Sequence, residues 1–467
     1  MNNILLNEAN ACLLCKNARC KKNCPISTPI PEIIQLYKDN EIEKAGEILF
    51  NNNPLSAICA IVCPHENQCS GHCIRGIKGE PVKFYSIEKE ISLNYLKNMK
   101  VEKPESNGVR VAVIGSGPAG ISVAFELAKK GYNVTIFEKN ERIGGVLAYG
   151  IPRFRLPENI MDIIGSRLKE YGVKIKINSL VGPVVTLDQL FEDGYEAIFI
   201  GTGVWNPRKL NIKGETFGNA HYAINYLKSP ELYDLGEKVI VIGAGNVAMD
   251  AARSAKHYGS KEVVVAYRRD FEDMSATKHE ISEAKEEGVL FDTFKSPVEI
   301  VDEGIILADT KKITNEDGTT SLITVEGSEK LYECDSVLIA VSQEPKNNIV
   351  VNNKGLDVKR GGLLYTNEYG QTTRDGVFAC GDVAHGASTV IEAVVSAKKI
   401  ATSIDLYINP SISQHWYRTN CMILTSPLSK IPNATSVEWL RRRDKISPLV
   451  SLNAVQNSHH QLVMEVE

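Results

Sequence analysis

The sequence predicts an α/β fold in which two Rossmann-like domains, one inserted in the other, follow a small helical domain rich in cysteine. Three observations predict it: two strand, glycine-turn, helix, strand units beginning at residues 109 and 238, a third glycine turn at residues 381–382, and eight of the eleven cysteines between Cys12 and Cys73. With 467 residues, 43% hydrophobic and 24% charged, the chain is long enough to bury two or three ordinary cores. A net charge of −4 offers no electrostatic reason to expect nucleic acid or an anionic membrane as a partner. The opening MNNILLNEANACLL has neither a basic lead nor a sustained apolar core, and no apolar run reaches membrane-spanning length. A cytoplasmic location is therefore expected, where dense cysteines point to metal ligands rather than disulfides.

The first cysteine group, ACLLCKNARCKKNCP, has the spacing Cys12-x2-Cys15-x4-Cys20-x3-Cys24-Pro; the second, CAIVCPHENQCSGHC, holds Cys59, Cys63, Cys69 and Cys73. Paired short spacings of this kind suit structural zinc. Two details favour iron–sulfur: Cys24 and Cys63 each precede a proline, and the first group is close to the bacterial ferredoxin run, whose last cysteine ligates the other of two clusters. Both metals stay open on the cysteines alone. Between the groups, PEIIQLYKDNEIEKAGEILFNNNP carries apolar residues at helical spacing, with Pro31 at its start and Pro54 beyond its end. A further helical stretch, VKFYSIEKEISLNYLKNM, follows Cys73, and the charged, Pro- and Gly-containing KVEKPESNG reads as a linker. Residues 1–100 thus form a helical domain too poor in core to stand without its metal.

After the linker, VRVAVIGSGPAGISVAFELAKKGYNVTIFEK places Gly115, Gly117 and Gly120 between a β-branched strand and a helix, with Glu138 closing the next strand. Gly115 permits the tight turn, Gly117 admits a pyrophosphate to the backbone, Gly120 lets helix and strand pack closely, and Glu138 accepts hydrogen bonds from ribose hydroxyls. The second unit, KVIVIGAGNVAMDAARSAKHYGSKEVVVAYRRD, repeats the turn with Gly243 and Gly245, and Ala248 takes the third small position. Where the first unit has an acid, this one has Arg268 followed by Arg269. An acid repels a 2′-phosphate and a guanidinium pair grips one, so the two units are expected to hold different nucleotides, the second one phosphorylated. Near the end, TTRDGVFACGDVAHGASTVIEAVVSAKKIA supplies a strand, the Gly381-Asp382 turn and a helix. Asp382 suits a ribityl chain and the helix N-terminus suits a pyrophosphate or flavin carbonyl. On this reading the flavin domain is discontinuous, spanning 108–233 and 346–408, with the second nucleotide domain inserted at 234–345.

On these cysteine groups and on NNPLSAICAIVCP, GSGPAG, GGVLAYGIPRFRLP, GAGNVAMD, YRR and GDVAHGAST, the chain from Cys12 to about Tyr407 resembles a known family. It is similar to the small subunit of NADPH-dependent glutamate synthase, the flavin-containing half of dihydropyrimidine dehydrogenase and the large subunit of NADH-dependent ferredoxin:NADP oxidoreductase. The resemblance implies FAD in the first nucleotide domain, NADPH in preference to NADH in the second, and two [4Fe–4S] clusters in the helical domain. For FAD it implies contacts from Gly115, Gly117, Pro118, Ala119, Gly120, Glu138, Lys139, Gly145, Val146, Arg155, Gly381, Asp382 and Thr389. For the donor nucleotide it implies Gly243, Gly245, Asn246, Val247, Arg268 and Arg269. It assigns Cys12, Cys15, Cys20 and Glu88 to one cluster and Cys24, Cys63, Cys69 and Cys73 to the other, with Cys59 competing with Glu88. No side chain acts as a catalytic acid or base, since hydride transfer belongs to the nicotinamide and flavin. Electrons pass from NADPH through FAD and the clusters to a catalytic partner subunit or a ferredoxin-type acceptor. Arg155 has a second reading, as one half of a structural salt bridge.

Other classes are weighed beside this one. A disulfide reductase shares the two-nucleotide plan but needs a cysteine pair at the flavin; no cysteine lies between Glu138 and Phe199, and Cys334, Cys380 and Cys421 are single. A redox sensor would let NADPH bleach the flavin without turnover on any acceptor. The partner stays open: NNPLSAICAIVCP leans towards the pyrimidine relatives and YRRDFEDMSATKHE towards the glutamate synthases. Residues 409–467 are expected to be a C-terminal extension without assigned role.

Overall fold

A computed structural model describes residues 3–315 and 319–409. Of the extension expected over 409–467, residues 410–467 lie outside the described residues, as does Cys421. The first hundred residues are helical, with α1 (Asn3–Asn10), α2 (Arg19–Lys22), α3 (Ile30–Lys38), α4 (Ile42–Asn52), α5 (Ser56–Val62) and α6 (Phe84–Asn98). The apolar run between the cysteine groups is two helices, because Asn40 turns the chain with a φ of +61°. That break lets α3 and α4 fold on each other and bury Ile33, Ile34, Tyr37 and Leu49 against Ile87 and Ile91 of α6. Cys12, Cys20 and Cys73 pack at the edge of this small core.

Ten strands form two parallel sheets: β1 (Arg110–Ile114), β2 (Asn133–Phe137), β3 (Lys174–Lys176), β4 (Tyr195–Ile200), β5 (Ala220–Tyr222), β6 (Lys238–Ile242), β7 (Glu262–Tyr267), β8 (Leu290–Thr293), β9 (Ser336–Ile339) and β10 (Val377–Ala379). The first sheet runs β10-β4-β1-β2-β3 and the second β5-β9-β6-β7-β8. Four successive residues of β1 and of β6 are buried, the near-continuous apolar pattern of strands covered on both faces. Helix α7 (Pro118–Ala128) leaves the first glycine turn and α8 (Asn246–His257) the second. Later come α9 (Lys278–Glu286) and α10 (Val390–Ile408).

The first sheet is completed by β10 from beyond the insertion, pairing with β4 at Val377–Ile198. The chain crosses between the sheets twice, at Asn206–Pro207 and Gln343–Glu344, and these two segments pair antiparallel. The second sheet takes its edge strand β5 from upstream of residue 234, where the insertion was expected to begin. The crossing at residue 206 explains this: the chain from there to the return crossing at residue 343 is already on the far side. Between β8 and β9 the insertion adds antiparallel strands at Lys295–Val301, Gly304–Thr314, Thr320–Thr324 and Lys330–Glu333. No helix among the described residues is long and apolar enough to cross a membrane.

Candidate functional site

The first glycine turn is shaped by backbone contacts. Gly115 has a φ of +93°, and a Cβ there would lie 2.6 Å from the carbonyl oxygen of Gly201; one on Gly120 would lie 2.0 Å from that of Gly115. The turn therefore seats α7 directly on β1, with Pro118 and Ala119 opening the helix. Glu138, buried at the end of β2, accepts hydrogen bonds from Ser116 N (3.0 Å), Ser116 Oγ (2.6 Å) and Asn140 N (2.9 Å). The acid is thus positioned by the turn itself, through Ser116, which residue spacing did not single out.

Gly115, Gly117, Pro118, Ala119, Glu138 and Lys139 line one long cleft, joined there by Gly145, Val146 and Arg155 from the loop after β2 and by Gly381, Asp382 and Thr389 from the far end of the chain. Asp382 accepts hydrogen bonds from Ser388 N (3.1 Å) and Oγ (3.2 Å), and burial pushes its carboxyl up to about 6. Thr389 exchanges hydrogen bonds with Glu392, whose carboxylate accepts from Thr389 N (2.9 Å) and Oγ1 (2.7 Å), which fixes the start of α10 at the cleft. Cys380 also lines it, buried and unpaired, and burial pushes its thiol up; the described residues hold no disulfide partner for it.

From the second unit, Asn246 and Val247 reach the same cleft. Gly243 and Gly245 form the turn behind them, where a Cβ on Gly243 would lie 2.3 Å from the carbonyl oxygen of Ala340. Arg268 and Arg269 stand exposed just past β7, away from the cleft lining. Their backbones are held independently: Arg268 O accepts from Thr310 Oγ1 (2.7 Å) and Arg269 O from Phe294 N (3.3 Å).

Arg155 stands between the cleft and helices α8 and α9. It borders the cleft, and its guanidinium donates to Asp250 Oδ1 (2.5 Å) on α8 and Glu280 Oε1 (2.7 Å) on α9. All three side chains are largely buried, so the first domain grips the second through an ion triad shielded from water. Burial raises the Asp250 carboxyl to about 6 even beside this arginine. Removing one partner of a buried pair leaves an uncompensated charge, so Arg155→Met should cost about 3–5 kcal/mol in chemical denaturation. Asp250 is raised further when Arg155 no longer lowers it, so the charge left unpaired in the variant is protonated before the parent's, and the deficit should shrink as pH falls towards about 6. A deficit independent of pH would show that Arg155 acts through packing alone.

Cys73 is expected with Cys24, Cys63 and Cys69, and Glu88 with Cys12, Cys15 and Cys20; in the structure Cys73 and Glu88 exchange surroundings. Burial pushes the Cys20 thiol up to about 11, and Cys73, Cys12 and Cys15 push it further in the same direction. Those four thiols border one cavity of about 240 Å³, which Cys69 also touches. Burial likewise pushes the Cys69 thiol up to about 12, with Glu88 and Cys24 as its charged neighbours. Cys63 is raised by its hydrogen bond with Cys59, by burial, and by Glu88 and Cys69. Packing explains the exchange. Helix α6 lies against α5, where Glu88 Oε1 accepts from Ser56 Oγ (3.0 Å), which turns the acid towards Cys59 and Cys63. The turn after Cys73 is held instead to the other group, by Arg75 Nη1 donating to Ala11 O (3.0 Å). Burial pushes Glu88 up to about 8.

Among the described residues, no three His, Cys, Asp or Glu side chains converge on a point that would hold a single ion. Thiols ringing a cavity fit a polynuclear group in which each iron takes one of them. Spacing did not reveal that Val62 and Pro64, on either side of Cys63, line the long cleft too.

Comparison with known proteins bears on the whole of this arrangement. Residues 109–401 match the family model for pyridine nucleotide-disulphide oxidoreductases, and residues 2–100 match that for dihydropyrimidine dehydrogenase domain II, 4Fe-4S cluster. The small chain of NADPH glutamate synthase from Halomonas elongata is 31% identical over 86% of this chain and 90% of its own length. The beta subunit of NADP(+)-dependent formate dehydrogenase from Moorella thermoacetica is 34% identical over 84% of this chain and 60% of its own. The PreT subunit of NAD-dependent dihydropyrimidine dehydrogenase from Escherichia coli is 30% identical, over 88% and 96%. Among solved structures, Mycobacterium tuberculosis FprA in complex with NADPH superposes with a TM-score of 0.55 at 19% identity, covering 66% of this chain and 86% of that one, which is likeness of fold.

Proposed function

This chain belongs to the pyridine nucleotide-disulphide oxidoreductase family and carries an N-terminal 4Fe-4S domain, and from that premise we propose that it is the electron-input subunit of an enzyme whose catalytic centre lies on a partner. It is an NADPH-dependent flavin and iron–sulfur oxidoreductase of the glutamate synthase small-chain type. One observation carries the input role: the flavin turn, Asn246 and Val247 just after the second nucleotide turn, and the residues flanking Cys63 all line one cleft.

FAD, when bound, would supply the conversion of a two-electron hydride donor into single electrons for iron–sulfur groups. The chain's own residues hold the parts in place. The Gly115–Gly117 turn and the N-terminus of α7 receive a pyrophosphate, and Glu138 accepts from ribose hydroxyls in place of Ser116. Asp382 orients the ribityl chain, and the Arg155 triad keeps the inserted domain against the cleft. The proposed cluster ligands are Cys12, Cys15, Cys20 and Cys73 for one group, and Cys24, Cys63, Cys69 and Glu88 for the other. Cys59, one helical turn before Cys63, competes with Glu88 because a thiolate is the softer ligand for iron.

The test is composition. Protein purified without oxygen should contain one FAD and about eight irons with equal sulfide, as two cubane clusters require, and NADPH should bleach its flavin. Stoichiometric zinc with little acid-labile sulfide would overturn the proposal for residues 1–100. Relatives named for glutamate synthase, formate dehydrogenase and dihydropyrimidine dehydrogenase differ in the reaction their complexes perform. The partner is therefore to be identified directly, by anaerobic affinity purification of the native protein and mass spectrometry of what co-elutes.

A further inference from the structure

We propose that the exposed face over Cys12, Cys15, Cys20 and Cys73 is the docking surface through which electrons leave this chain, and that the redox protein seated there presents an acidic surface. The proposal rests on the electron-input reading. Leu13, between Cys12 and Cys15, is 63% exposed; Ile74, directly after Cys73, is 44% exposed and Ile77 63%. Leu13 and Ile74 border the same cavity as the four thiols. The hydrogen bond from Arg75 to Ala11 holds their two segments together, so these side chains form one apolar face rather than scattered surface residues.

Charge identifies the occupant. Lys16, Arg19, Lys21, Lys22, Arg75 and Lys78 are all exposed on the two segments that carry this face, and Arg19 and Arg75 border its cavity. Residues 11–25 and 72–79 contain no acid at all, in a chain whose net charge is −4. An apolar centre with a basic rim steers and retains an acidic partner. The other thiol group does not compete for this role, since Val62 and Pro64 beside Cys63 border the long cleft. Oxidation of one NADPH to NADP+ and a proton yields two electrons, which leave singly and reduce the partner's acceptor centre by one electron each time.

The test uses the complete, cofactor-loaded chain and two probes of opposite charge, an acidic [2Fe–2S] ferredoxin and the basic cytochrome c, with Kd measured by calorimetry across ionic strength. The ferredoxin should bind, with affinity falling steeply as salt rises. The double substitution K21E/K22E should weaken that binding at least about tenfold, and Ile77→Ser, at an exposed position outside the cavity lining, should weaken it at high salt too. Iron content and flavin bleaching by NADPH should stay unchanged in both variants. Equal or tighter binding of cytochrome c, or ferredoxin binding untouched by K21E/K22E, would overturn the proposal. A parent chain without iron or NADPH bleaching would instead overturn the input reading on which it stands.

Discussion

Cys69→Ser should reduce the bound iron from about eight to about four and slow reduction of the partner at least about a hundredfold, more than the loss of an outer-shell contact costs a metal site. NADPH should still bleach the flavin, because hydride transfer needs only the two nucleotide domains. Cys69 is 8% exposed, and serine nearly matches its size, so the core around it loses little packing. Its sulfur lies 3.7 Å from His65 Nδ1, in the loop that also borders the long cleft through Pro64. Cluster binding is coupled to the stability of small metal domains, so flavin content and circular dichroism must accompany the measurement. Loss of bleaching in a folded, FAD-loaded variant would reverse the proposed electron order.

The same experiment decides the ligand sets. If Cys73 shares a cluster with Cys12, then C12S and C73S should each remove about four irons and the double variant no more. C69S combined with C73S should remove all eight or so. The opposite pattern would restore the grouping expected from resemblance.

Replacing Arg268 and Arg269 together with alanine should raise the KM for NADPH at least about tenfold while leaving that for NADH nearly unchanged, since charge-assisted hydrogen bonds to a phosphate contribute about 1.5–3 kcal/mol each. Diaphorase turnover with an artificial acceptor measures this without a partner. The backbone makes the test clean: the carbonyls of both residues are held by Thr310 and Phe294, contacts that alanine keeps. Equal losses with both nucleotides would mean that the pair supports the fold. Family membership does not settle the matter, because relatives of similar identity are named for NADPH in one case and NAD in another.

What residue order alone determined is whatever a few neighbouring residues encode. A glycine that must turn at a positive φ, +93° at Gly115 and +124° at Gly243, and an apolar strand leading into it lie within a few residues, so both nucleotide folds and the return of the chain at Gly381 were legible. The presence of cysteine-bound metal was legible for the same reason. Helix α3 ended early because a single residue, Asn40, takes a left-handed conformation that apolar periodicity does not register. The remaining features depend on segments far apart in the chain meeting in space. Arg155 reaches Asp250 and Glu280 across 95 and 125 residues, and no local pattern at any of the three reports the others. Cys73 joins Cys12 because Arg75 ties its turn to Ala11, and Glu88 faces Cys63 because α6 packs on α5. Spacing pointed to a metal group at these thiols; which of them stand together was decided only by the packing of the helices, because a cluster takes its ligands by distance and not by order along the chain.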